Sequence, residues 1–174
     1  MSRTASRASV DTPAVPSPAA PTWRKGLLSV HIAAAVGALG TDAALLALGI
    51  SGAGDADPET VYPAASLIGS WLVAPLAVTA LVSGLLLGLL SEWGLVRYWW
   101  VTIKLAITAT LVVVLLSVLL PALQDAADTA TAGGELADAD RGPLVAGPVV
   151  AVTLLALNVV LAVFKPGWRL RARP

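Results

Sequence analysis

Four apolar stretches, at about 27–50, 66–90, 99–120 and 144–164, dominate this chain. A helix needs about 20 mostly apolar residues to cross the hydrocarbon of a bilayer. Each stretch has that length. An unpaired backbone group in lipid is too costly, so each stretch must be helical. The connections between the first three spans are short, which makes sequential spans antiparallel neighbours. The expected fold is therefore an all-α membrane protein, four transmembrane helices in an up-down bundle. Composition agrees: 13% of the residues are charged, against about 25% in soluble domains.

The flanking segments differ. Residues 1–22 are rich in Ala, Ser and Pro, with Pro13, Pro16, Pro18 and Pro21 among small residues. This composition predicts a disordered tail. The first apolar run begins only near residue 27 and is long enough to span, so it is not expected to be a cleaved signal peptide. Residues 23–166 form the expected transmembrane domain, and 167–174 a basic tail. Pro75 should kink the second span, and Pro121 is expected to end the third. A surface helix over 122–131 is expected in the loop that follows.

Charge is asymmetric. Arg3, Arg7, Arg24, Lys25, Arg97, Lys165, Arg169, Arg171 and Arg173 fall on one side of the spans, and Arg141 alone on the other. Asp55, Asp57, Glu59, Asp125, Asp128, Glu135, Asp138 and Asp140 occupy the opposite loops. The positive-inside rule places both termini in the cytoplasm. The basic collar suits anionic lipid headgroups; nucleic acid is not an expected partner. Trp23, Trp93, Trp99, Trp100 and Trp168, with Tyr98, flank span ends on the basic side. Such rings favour the headgroup level. Tyr62 and Trp71 are their expected counterparts on the acidic side, and Arg97 an anchor beside the tryptophans.

Small residues at four-residue spacing let helices approach closely. Ala80, Gly84 and Gly88 form one such stripe. Ala33, Gly37 and Thr41 form another, with Gly40 and Ala44 beside it. These stripes serve either packing inside one bundle or a dimer seam.

Ionisable residues within a span usually face protein or water. There are three: His31, Asp42 and Lys104. At 1.5 Å rise per residue, His31 and Lys104 each lie roughly 7 Å from the basic side. Ser83 and Asn158 fall in the same layer, so one polar residue from each helix converges there. Two readings follow. Either His31, Ser83, Lys104 and Asn158 form one hydrogen-bonded cluster, or each is satisfied separately, with Lys104 snorkelling to the headgroups. Asp42 lies close to three turns beyond His31, on the same helix face, with Ala35 and Ala38 between. It is either a proton-exchanging or cation-binding carboxylate, or a structural group bonded to Thr110 or Thr153 or reached by water.

Much chemistry is excluded. There is no cysteine, one histidine and one methionine. Disulfides, thiolate sites and attached haem are ruled out. Bis-histidine haem within one chain and soft copper sites are also ruled out. No phosphate loop, zinc helix or dinucleotide fingerprint occurs. A Ser83/His31 dyad is conceivable, but the serine sits in VSGLLLG, without a nucleophile elbow. No catalytic residue, metal or cofactor is expected.

The stretch SEWGLVRYWWVTIKL, with the preceding SGLLLGLL and the first-span HIAAAVGALGTDAALLALG, resembles a group of small four-span integral membrane proteins of actinobacteria. That group is catalogued as predicted integral membrane proteins of unknown function. Trp93, Gly94, Leu95, Arg97, Trp100, Lys104, Leu105 and His31 carry the resemblance. It implies the same four-span fold and brings no activity. More distantly, the chain is similar to the membrane part of copper-resistance proteins, but it departs from them in having one internal histidine and no internal methionine.

The expected function is an accessory or partner-binding component of a bacterial plasma membrane, not an enzyme, working with a membrane-protein partner or as a homodimer. The alternative is a small proton-coupled transporter using Asp42. A haem- or quinone-linked subunit would require histidine ligation across a dimer interface.

Overall fold

The computed structural model describes residues 22–90 and 99–164. Residues 1–21, residues 91–98 with Trp93 and Arg97, and residues 165–174 with Trp168 lie outside the described residues. Four helices fill the described part. They are α1 (Thr22–Ala53), α2 (Pro58–Leu89), α3 (Trp99–Thr131) and α4 (Asp138–Phe164). All four are long and apolar enough to cross a membrane. Helix α1 packs on α2 and α4, and α3 packs on the same two from the other side. This is an up-down bundle, and the chain is a multi-pass membrane protein.

The helices exceed what a bilayer needs. Helix α2 has 32 residues and α3 has 33. At 1.5 Å per residue they are about 48 and 50 Å long, against a hydrocarbon core of about 30 Å. The excess lies at the end bearing the acidic loops. Here the first part of α2 and the last part of α3 pack closely on each other. Tyr62 and Ala65 of α2 meet Leu123, Ala126, Ala127 and Ala130 of α3 in one core, closed by Leu136 and Leu144.

Two expectations are corrected at this end. Pro121 does not end the third helix. Proline removes a backbone donor and crowds the preceding turn. The helix absorbs this by a π turn over Leu115–Leu119, where the Leu120 N–H reaches back to the Leu115 carbonyl. It then continues to Thr131, so 122–131 is the end of the third helix, packed on α2 through Leu123, Ala126, Ala127 and Ala130, and not a separate surface helix. Helix α2 uses the same device before Pro75: a π turn over Gly69–Val73, with Ala74 N–H donating to Gly69 O. Tyr62 is the second correction. It does not belong to an interfacial belt; it is 1% exposed, and its hydroxyl donates to Gly52 O at 3.1 Å. Trp71, by contrast, is 76% exposed.

The helix ends have local causes. Asp57 caps α2, accepting from Glu59 N–H at 3.2 Å and Thr60 Oγ1 at 2.6 Å, with Pro58 in the first turn. Asp at an N-cap and Pro just inside are favoured because the first-turn N–H groups lack helical partners. Helix α3 stops at Gly133, whose φ of 71° is the left-handed conformation that glycine adopts freely.

Glycine also sets the α1–α4 crossing. A Cβ on Gly49 would lie 2.7 Å from the Leu144 carbonyl oxygen. Backbone cannot yield there as a flexible side chain can. Gly49→Val is therefore expected to destabilise the fold by about 1–3 kcal/mol, the usual cost of overpacking. Gly40→Val, where nothing lies within 4 Å, should leave thermal unfolding of the isolated chain unchanged.

Candidate functional site

The interior polar residues lie in the half of the bundle toward the basic end, with Asp42 nearer its middle. Helix α1 turns Ala34, Ala38, Asp42, Leu45 and Gly49 inward. His31 continues this face. Alanine between the two ionisable side chains keeps α1 close to α2, as small residues do in membrane bundles.

The structure divides the expected four-residue layer into two pairs. The first joins α1 to α2. His31 Nδ1 lies 3.0 Å from Ala80 O and 3.1 Å from Ser83 Oγ. A carbonyl can only accept, so Nδ1 carries the proton and, in the neutral ring, Nε2 keeps its lone pair. Ser83 is 3% exposed and donates its own proton to Thr79 O at 2.5 Å. Its oxygen is thus turned to accept from the ring. Gly84 makes room for this contact, since a Cβ there would lie 2.9 Å from His31 Cε1.

The second pair joins α3 to α4. Asn158 is 7% exposed, and its Nδ2 donates to Thr108 Oγ1 at 3.0 Å. Thr108 in turn donates to Lys104 O at 2.9 Å. Asn158 Oδ1 is buried without a hydrogen-bond partner. Lys104 is half-buried. No hydrogen bond joins Lys104 to His31, Ser83 or Asn158 among the described residues. Thr108 escaped the sequence reading. Its signal was present: it follows Lys104 by one turn and shares its face.

Asp42 stands apart. It is 2% exposed, and Oδ2 has no hydrogen-bond partner. Thr110 is exposed, and Thr153 donates to Val149 O at 2.7 Å. No hydrogen bond links either threonine to Asp42. Among the described residues no group of three or more His, Cys, Asp or Glu could hold a metal ion.

Of the expected interfacial tryptophans, Trp23 is 52% exposed. Trp99 and Trp100 are half-buried, and Trp99 Nε1 is buried without a partner. The small-residue stripes also divide. Gly37 faces Leu76, Gly84 faces His31 and Ala80 is buried, so these serve the bundle interior. Gly40 and Ala44 are left outside it.

No protein family, curated protein or solved structure matches the chain. The resemblance to small actinobacterial membrane proteins gains no support from these comparisons. What stands is a four-helix chain with four candidate membrane spans.

A buried polar group without a partner costs about 1–3 kcal/mol. Asp42→Leu, close in size and apolar, is therefore expected to raise stability by about that amount in detergent or lipid. A fall in thermal stability would mean that the carboxyl has a partner in the folded protein.

Proposed function

We propose that this chain is an accessory component of a bacterial plasma membrane, without catalysis of its own, that binds a partner helix along the exposed face of α1. Both termini lie in the cytoplasm in this reading. One observation carries it. Between Val36 and Ile50, the exposed residues of α1 are Gly40, Ala43, Ala44 and Ala47. The exposed faces of the other helices carry Leu, Val and Trp at corresponding depth, among them Leu67, Trp71 and Leu72 of α2, Val113, Val114 and Leu116 of α3, and Val149 and Val150 of α4. Lipid offers no hydrophobic drive for helices to associate, so membrane helices pair through close backbone approach at Gly and Ala. A shallow stripe about 10 Å long, with Gly and Ala as its exposed residues, suits a second helix better than lipid tails.

A proton-coupled carrier is the second reading. The buried, unpartnered Oδ2 of Asp42 favours it. The carrier's signature is proton movement that Asp42→Asn abolishes.

The chain has no cysteine, which makes the partner reading directly testable. A cysteine at Ala44 carrying a photoactivatable crosslinker is expected to capture one discrete product in native membranes. Gly40→Leu should abolish it. Capture at twice the chain mass identifies a second copy; another mass identifies a different partner. A reagent at residue 44 that reacts only with lipid would overturn the proposal.

A further inference from the structure

A groove of about 320 Å³ runs between α1 and α2 on the outer surface of the bundle, toward the basic end. That volume falls at the low end of the ~300–1,000 Å³ typical of ligand pockets. Leu27 and Val30 line one side, and Val78, Val82 and Leu86 the other. Thr79 and Ser83 contribute to it. Both hydroxyls are already committed to carbonyls of their own helix: Thr79 to Pro75 O at 2.7 Å, and Ser83 to Thr79 O at 2.5 Å. Neither hydroxyl hydrogen is free for an occupant. The surface is therefore built for an apolar chain and not for a sugar or a polar headgroup.

The end of the groove is different. Arg24 precedes Leu27 by three residues and shares its helix face. Lys25 is adjacent. Helical side chains lean toward the N-terminus, which here is the basic end, so Arg24 reaches past Leu27 toward the headgroups. Among the described residues, Arg24 lies at this end, and every Asp and Glu other than Asp42 lies toward the opposite end. A second helix suits this groove poorly, because Leu27, Val30, Val82 and Leu86 are large and hold a partner backbone away. One molecule combines an apolar tail with an anionic group at headgroup depth.

We propose that the α1–α2 groove is a binding site for an anionic phospholipid of the leaflet at the basic end. An acyl chain lies along Leu27, Val30, Val78, Val82 and Leu86, and the phosphate meets Arg24. The site is separate from the Gly40–Ala47 stripe and does not depend on that reading. The groove shares Ser83 with the His31 pair, so the bound chain covers the lipid side of the residue that holds the histidine ring.

The test titrates the purified full-length chain in detergent with phosphatidylglycerol and with phosphatidylcholine of the same acyl chains. Native mass spectrometry counts the lipids retained. Phosphatidylglycerol is expected to be retained preferentially. Arg24→Gln should weaken its retention about fivefold, the contribution of one basic residue near an anionic surface. Val82→Trp should fill the groove and remove tight retention. Val149→Trp, on the exposed face of α4, should leave it unchanged. Thermal unfolding of each variant separates lost binding from lost folding. If Val82→Trp does not fold, Arg24→Gln decides alone. Equal retention of the two lipids, indifference to Arg24→Gln, or equal loss in Val149→Trp and a folded Val82→Trp would overturn the proposal.

Discussion

Hydrocarbon supplies no hydrogen bonds, so each polar group within the spans must be satisfied by the protein or remain at a cost. The π turns before Pro75 and Pro121 answer this demand in the backbone. Each lets the last available N–H reach five residues back before the proline interrupts the ladder. Side-chain hydroxyls answer it locally: Thr41, Thr79, Ser83, Thr108, Ser117 and Thr153 all donate to a carbonyl one turn earlier. Among the described residues, His31 with Ser83, and Asn158 with Thr108, join different helices by side-chain hydrogen bonds within the spans. These two links tie α1 to α2 and α3 to α4. The rest of the bundle is held by apolar packing and by close approach at glycine and alanine.

The distribution of that packing divides the molecule. Toward the acidic end, the core around Leu45, Tyr62, Leu119 and Leu123 is continuous and apolar. Toward the basic end, fewer residues are buried and the polar pairs stand in place of a core. Asp42 lies between these regions with an unpartnered oxygen. A carboxyl in that position is either a cost retained for use or a cost left from folding, and the interior around it decides which. Charged groups within spans are otherwise rare because of this expense.

Length and hydropathy made the four spans legible, because the bilayer imposes a thickness that sequence must match. The antiparallel bundle followed from short connections. The interior roles of Ala80, Gly84 and Gly37 were legible as spacing, but which stripe faces inward was not, since helix rotation is set by packing. Pro121 misled because its usual effect is to end a helix, and the π turn just before it, Leu115–Leu119, leaves no mark in apolar sequence. Tyr62 misled because aromatic residues near span ends are usually interfacial, whereas here the first part of α2 and the last part of α3 bury it between them. The start of α2 was written plainly as Asp57-Pro58, a cap and first-turn pair. Shared depth brought His31, Ser83, Lys104 and Asn158 to one layer, but depth carries no azimuth, and the layer separates into pairs.

The account rests on a closed interior around Asp42, which leaves the outer faces of the bundle to carry the function. Ala38, buried one turn from Asp42 on the same face, reports on this most directly, because Ala38→Cys would be the only thiol in the chain. Reaction of that thiol with membrane-impermeant reagents, applied to either side of lipid vesicles, measures whether water reaches the carboxyl. The account predicts protection from both sides. Rapid labelling from either side would reveal an aqueous path to Asp42, contradict the closed bundle, and make the carrier the better description of this protein.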